Sequence, residues 1–222
     1  MNVSAVVLAA GEGRRVGGDR NKIFLPVGGR PLLTRTIEQL ACTERFSEFI
    51  LVVRHGEEAQ VRAILPPLVA PCRIVPGGAV RRDSSLAGVT AAAGDLVLIH
   101  DAARPFASKR LIEQIIAGAI RYGACVPALP IPDTLRHASG DVLRVDIVDR
   151  SNLYAMQTPQ GFNRELIKRC LTAHLGNLPD DAAAALAEDA PVHFIRGDLL
   201  NLKITSAGDF AVADRIIQLG FE

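Results

Sequence analysis

The sequence contains no tryptophan, and aromatic residues make up 5% of it. An interface built on aromatic anchors is therefore not expected. No apolar stretch approaches the ~20 residues that a membrane-spanning helix needs. The Met1–Gly11 run lacks the charged and apolar regions of a secretory leader. Neither sign of charge is in excess: 25 Lys and Arg stand against 24 Asp and Glu, a net of +1. That balance argues against a nucleic-acid partner, which calls for a basic stripe, and against a polybasic membrane surface. The four cysteines, Cys42, Cys72, Cys125 and Cys170, form no C-x-x-C pair. They read as ordinary reduced thiols, neither zinc ligands nor a disulfide framework, and the expected setting is the cytoplasm.

What is present is an apolar fraction of 49% over 222 residues, enough for one sizeable core, so residues 1–222 are expected to form a single domain. Short β-branched runs alternate with helical patterns. Strands are expected at Val3–Ala10, Phe49–Val53, Arg73–Val75, Leu96–Ile99 and Ala124–Leu129. Helices are expected at Pro31–Ala41, Glu57–Leu65, Asp83–Ala93 and Lys109–Tyr122, with Asp83 or Ser84 placed to cap the third. This order predicts an α/β fold, a Rossmann-like, mostly parallel sheet with helices on both faces. The alternation breaks after Pro130. Over Pro130–Asp149 the turn signal Ser139-Gly140-Asp141 separates two extended runs, which predicts a β-hairpin arm at about 130–150. Leu143, Val145 and Ile147 alternate as on a half-covered ribbon. A two-stranded arm is marginal alone in water, so it is expected to lie on a second copy of the chain in a homodimer. Helices follow at Arg164–His174, Ala182–Ala187 and Ser206–Leu219, the last with Ser206 and Asp209 as a capping box. Late strands are expected at Val192–Ile195 and Leu202–Thr205.

The strongest local signal is Leu8-Ala9-Ala10-Gly11-Glu12-Gly13-Arg14-Arg15, directly after a buried strand. Small residues and two glycines let backbone approach a ligand closely, and successive N–H groups there can wrap an anion. Arg14, Arg15 and Lys22 crowd the same place and suit a triphosphate at the C-terminal edge of a parallel sheet. The alternative is a plain strand-to-helix turn. A Walker A loop would end in Gly-Lys-Ser/Thr, which this one does not. A dinucleotide fingerprint would need Gly or Ala where Val16 stands, and an acidic residue where the second strand runs into Arg54-His55.

Further motifs come in order: Gly77-Gly78, Asp83-Ser84, His100-Asp101-Ala102-Ala103-Arg104-Pro105, Asp133-Thr134, Val148-Asp149-Arg150, Gln157-Thr158-Pro159-Gln160 and Asn201-Leu202-Lys203-Ile204-Thr205. With the entry loop, this set is similar to the 2-C-methyl-D-erythritol 4-phosphate cytidylyltransferase family, over nearly the whole chain. The resemblance implies transfer of CMP from CTP to 2-C-methyl-D-erythritol 4-phosphate, releasing pyrophosphate, in isoprenoid biosynthesis by the non-mevalonate route. A ribitol 5-phosphate cytidylyltransferase is the alternative, and a non-catalytic nucleotide-binding protein is the alternative from another class. Transfer between two anions relies on positioning and fixed positive charge.

By this resemblance Arg15 and Lys22 stabilise the α-phosphate, while Arg150 and Lys203 hold the acceptor phosphate; their other reading is surface pairing with Asp149 or Asp198. The base is read by backbone at Ala9, Ala10 and Gly78 and by Ser84, which could equally be a helix cap. Gly11 and Gly13 receive the phosphates. Asp101 meets a ribose hydroxyl or Mg²⁺, the ion being bound mainly through the CTP phosphates; a pairing with Arg104 is the alternative. Arg104, Thr134 and Thr158 are acceptor-binding candidates, Thr134 from the partner's arm. Ala79 and Pro179 depart from the family pattern, which places an acidic residue and Thr there. His100 is expected to make a local structural hydrogen bond and to take no acid–base role.

Overall fold

The computed structural model describes residues 1–11, 21–174, 176 and 178–221. Gly13, Arg14 and Arg15 therefore lie outside the described residues. The strands are β1 (Val3–Leu8), β2 (Pro26–Val27), β3 (Arg30–Pro31), β4 (Glu48–Val53), β5 (Cys72–Pro76), β6 (Leu96–Asp101), β7 (Ala124–Pro130), β8 (Arg136–Ser139), β9 (Val142–Ile147), β10 (Tyr154–Met156), β11 (Gln160–Asn163) and β12 (His193–Arg196). The helices are α1 (Leu32–Ala41), α2 (Glu58–Ala63), α3 (Arg81–Ala91), α4 (Lys109–Tyr122), α5 (Arg164–Ala173), α6 (Asp181–Ala187) and α7 (Ala207–Gln218).

Eight strands form the central sheet in the order β10-β7-β11-β6-β1-β4-β5, with β12 parallel to β7. Strands β6, β1, β4 and β5 run parallel, so their C-terminal ends share one edge. Successive side chains of β1 point to opposite faces. Ala5 and Val7 pack with Leu33, Ile37 and Leu40 of α1 and with Ile112 and Ile115 of α4. Val6 packs on the other face with Val89 of α3 and with Ile167 and Leu171 of α5. A strand buried on both faces must be apolar throughout, hence the unbroken run at the chain's start. Ser108 caps α4 by accepting from the Leu111 N–H at 3.3 Å. Gly123, at φ 81°, ends it in the left-handed conformation that glycine tolerates best. The expected capping box of α7 is present at Ser206 and Asp209.

Three expectations are corrected. Leu202–Thr205 is not a strand. Ile204 N–H donates to the Ala103 carbonyl at 2.8 Å, while Leu202 N–H turns back to Leu200, so no ladder continues. Helix α3 begins at Arg81, earlier than expected, and its N-cap Val80 makes no side-chain cap. Asp83 and Ser84 therefore sit in the first turn. Finally, β10 and β11 have no counterpart in the expected pattern, and β11 is antiparallel to both of its neighbours, β6 and β7. Polar turn-formers around Gln157-Thr158-Pro159-Gln160 hide that strand from a pattern reading. The hairpin β8–β9 forms as a separate ribbon, its apolar side chains exposed.

Helix α3 lies unusually close to the sheet. A Cβ added to Gly88 would sit 2.4 Å from Val6 Cγ1 and 2.8 Å from Val52 Cγ2. Gly88→Ala is expected to lower unfolding free energy by about 1–3 kcal/mol, the usual effect of overpacking a tight core. Equilibrium denaturation with an unchanged m-value would measure it; a stability equal to the parent's would show that α3 sits less tightly than described.

Candidate active site

The C-terminal edge of β6, β1 and β4 opens into a cavity of about 690 Å³ lined by Ala9, Ala10, Gly11, Lys22, Arg54, Gly78, Arg81, Ser84, Asp101 and Lys203, among others. Its placement follows from the parallel ladder: β1 ends at Leu8 opposite Asp101 of β6 and Val52 of β4. Ala9 continues the pairing by donating its N–H to the Val52 carbonyl at 2.7 Å. Gly77 must be glycine because a Cβ there would stand 2.5 Å from that of Ala10.

Lys22 sits on a single 3-10 turn, Lys22–Phe24, anchored by the buried side chains of Ile23 and Phe24. Asn21 fixes the turn's start. Its Oδ1 accepts from Ile23 N–H at 3.3 Å, and its Nδ2 donates to Glu57 Oε2 at 2.8 Å and to the Ala9 carbonyl at 3.3 Å. The Lys22 ammonium donates to the Ile204 carbonyl at 2.8 Å. Two cations expected to work together, Lys22 and Lys203, thus line one cavity. They come from opposite ends of the sequence.

Asp101 is the hub. Lys203 Nζ lies 2.7 Å from its Oδ2 and Arg81 Nη2 3.5 Å from its Oδ1. Burial alone would raise its pKa. Lys203 and Arg81 outweigh burial and hold the carboxyl well below the usual carboxylate range. The pairing of Asp101 with Arg104 is therefore corrected: its ion-pair partners are Lys203 and Arg81, and Lys203 pairs with Asp101 instead of Asp198. Arg104 spends its guanidinium on backbone, donating to the Asn201 carbonyl at 2.7 Å. Ser84 is no cap; its hydroxyl accepts from Gly78 N–H at 3.2 Å and so braces the glycine pair.

A second, smaller cavity of about 270 Å³ adjoins the first. It shares the wall made by Arg81, Asp101 and Lys203 and adds Arg104, Thr158, Gln160, Pro179 and Asp180. The Thr158 hydroxyl is engaged by the framework: it accepts from Asp101 N–H at 3.0 Å and meets His100 Nδ1 at 3.1 Å. His100 Nε2 lies 3.0 Å from the Arg104 carbonyl, and burial depresses its pKa to about 4, so the ring is neutral near pH 7. Thr134 and Arg150 line neither cavity. Both are exposed at the root of the arm, Arg150 donating to the Ile131 carbonyl at 3.1 Å. Within one chain, therefore, the expected cation set is only partly assembled.

Sequence reasoning missed Arg54, Arg81 and Asp181. Arg81 lies in the first turn of α3, where a cation opposes the helix dipole. That misfit, directly after Gly77-Gly78, was the available signal. Arg54 follows the last residue of β4, accepts from Glu57 N–H through its carbonyl at 3.0 Å and lines the larger cavity. Also among the described residues, no group of three or more His, Cys, Asp or Glu is placed to hold a metal.

The 2-C-methyl-D-erythritol 4-phosphate cytidylyltransferase family profile matches residues 3–219. The chain is 37% identical to the enzyme of that name from Geobacillus kaustophilus, over 98% of this chain and 97% of that one. It is 40% identical to the bifunctional enzyme IspD/IspF of Dinoroseobacter shibae, matching 98% of this chain but spanning 54% of that longer protein. The crystal structure of the Thermus thermophilus 2-C-methyl-D-erythritol 4-phosphate cytidylyltransferase superposes with a TM-score of 0.83 at 33% identity, covering 98% of this chain and 100% of that one. A parallel sheet edge lined by lysines and by the small-residue loop, with a profile match across nearly all its length, places this chain in the 2-C-methyl-D-erythritol 4-phosphate cytidylyltransferase family, and it is a nucleotidyltransferase.

Proposed function

We propose that this chain transfers CMP from CTP to 2-C-methyl-D-erythritol 4-phosphate, releasing pyrophosphate, in isoprenoid biosynthesis. The observation that carries the reading is the pair of adjoining cavities sharing the Arg81–Asp101–Lys203 wall, one beside the small-residue loop and one beside Arg104. Two phosphorylated reactants then meet across a wall that carries fixed positive charge. CTP occupies the larger cavity. Its base fits beside Ala9, Ala10 and the Gly78 backbone that Ser84 braces, where hydrogen bonds can read the cytosine edge. Lys22 supports the α-phosphate as charge builds there, a role that the family resemblance also gives to Arg15. The acceptor's phosphate oxygen attacks the α-phosphorus, the bond to the β-phosphate oxygen breaks, and pyrophosphate leaves. The neutral His100 takes no proton in this scheme, because a phosphate dianion needs no base.

Mg²⁺ belongs to the reading as well. It needs only one or two carboxylates, the triphosphate and water completing its shell. Asp101, a carboxylate at the cavity wall held ionised by its neighbours, fits that requirement once Lys203 turns away from Oδ2. The ion's contribution is to neutralise phosphate charge. A cytoplasmic setting accords with four cysteines that are all free thiols. Among the described residues no helix is long and apolar enough to cross a membrane.

The arm completes the site from a second copy in this reading. Val145 is 95% exposed and Ile147 73% exposed, a row of apolar side chains that a single chain leaves in water. Thr134 and Arg150 at its root lie outside their own chain's cavities, where a partner's cavity can receive them.

Pyrophosphate release with CTP and Mg²⁺ tests the activity. Methylerythritol 4-phosphate is expected to be used far better than ribitol 5-phosphate, and CTP better than UTP, ATP or GTP; a preference for ribitol 5-phosphate would overturn the assignment. A chelator should abolish turnover and added Mg²⁺ restore it. Lys22→Ala is expected to lower kcat by about a hundredfold or more, the scale of losing a transition-state cation, while CTP still binds in calorimetry; near-normal turnover removes Lys22 from the mechanism. Arg150→Ala should raise the acceptor KM much more than the CTP KM. Mixing the Lys22→Ala and Arg150→Ala proteins should recover roughly a quarter of parental activity, because half the dimers would then own one intact composite site. No recovery on mixing would show that Arg150 acts within its own chain or not at all.

A further inference from the structure

Asp101 is faced by two cations that are held very differently. The Lys203 side chain is 40% exposed on a flexible stem, and its described ion pair is the one to Asp101. Arg81 is 23% exposed, and the same Nη2 that faces Asp101 lies 2.8 Å from Asp181 Oδ2. The Asp181 side chain has no exposure at all. Arg81 is its ion-pair partner among the described residues, and a buried carboxylate cannot release such a partner without leaving an uncompensated charge in the interior. Asp181 thus ties Arg81 down from behind, from the first residue of α6, while Lys203 stays free to turn. The neighbourhood fits this division. Asp180, next in line, caps α6 by accepting from Ala183 N–H at 2.9 Å and takes a hydrogen bond from Gln160 Nε2 at 2.9 Å, so α6 is fastened to β11 at the point where Asp181 projects.

By the family resemblance Lys203 holds the acceptor phosphate, so it leaves Asp101 when the acceptor binds. When it does, Oδ2 is left to Mg²⁺, and the protein cation that still faces the other oxygen, Oδ1, is Arg81. We propose that Arg81, anchored by Asp181, is a positioning residue for the transfer reaction, the counter-ion that stays on Asp101 and keeps it in place when Lys203 leaves for the acceptor phosphate. Arg81 lines both cavities, so it stands where the handover takes place. This rests on Asp101 having the role given under the proposed function and on Lys203 holding the acceptor phosphate, as the family resemblance implies.

Removing Arg81 alone would strand Asp181, and such a protein could fail to fold. The test therefore uses the charge-balanced double variant Arg81→Gln/Asp181→Asn, with Asp101→Asn, and the triple variant combining them. Thermal unfolding of the double variant is expected within a few degrees of the parent. Its kcat should fall by about tenfold or more, with the CTP KM changing less than the acceptor KM. Against the Asp101→Asn background the same pair of changes should cost less than threefold, because a residue acting through Asp101 has nothing left to act on. Equal losses in both backgrounds would overturn the proposal, as would full activity in the double variant. Full activity in Asp101→Asn would instead bring down the reading of Asp101 on which the proposal rests. Should the double variant unfold, Arg81→Lys, which retains the charge while altering its reach, provides the same comparison with and without Asp101→Asn.

Discussion

Two phosphorylated reactants repel each other, and this structure meets that repulsion with positive charge fixed at one edge of a parallel sheet. Charge so concentrated must itself be held together. Asp101 does this, drawing Lys203 and Arg81 to the shared wall of two cavities, and the buried Asp181 extends the alternation of sign one step further into the protein. Carboxylates here organise the cations, which would otherwise push apart. The low position of the Asp101 pKa is a symptom of that arrangement.

The fold's parts read naturally as supports for this edge. The parallel order β6-β1-β4 delivers Asp101, the Ala9–Gly11 loop and Arg54 to one line. The antiparallel β11 then brings Thr158 alongside, whose hydroxyl receives the Asp101 N–H and meets the ring of His100. The imidazole is thus a strut between Thr158 and the Arg104 carbonyl, and the backbone of the His100-Asp101-Ala102-Ala103-Arg104 turn is shaped by it. A histidine beside a functional aspartate invites an acid–base interpretation. Its complete burial explains why the chemistry does not follow.

Much of this was legible in the residues. The alternation of β-branched runs with amphipathic stretches shows the parallel sheet, and glycines beside small residues mark the edge where the larger cavity opens. The hairpin is readable because Ser139-Gly140-Asp141 can hardly be anything but a turn. Other features depend on geometry that local patterns do not carry. Leu202–Thr205 has strand-like composition but no neighbouring strand with a free edge, so its residues serve as an extended tie. Strand β11 contains Gly161 and begins beside Pro159, and only its burial between β6 and β7 makes it a strand. The pairing of Arg81 with Asp181 joins residues far apart in sequence, and the misplaced cation at Arg81 does not reveal its partner.

The Lys22 ammonium meets the carbonyl of a residue 182 positions further along. That carbonyl belongs to the extended tie, and the tie is gripped by the start of α7, where Asp209 Oδ2 accepts from Thr205 N–H at 2.6 Å and from Ser206 N–H at 2.8 Å. The larger cavity is closed by residues from both ends of the chain, Lys22 on one side and Lys203 and Thr205 on the other. A change that loosened α7 would therefore disturb the Lys22 ammonium and Lys203 together, although neither residue belongs to that helix.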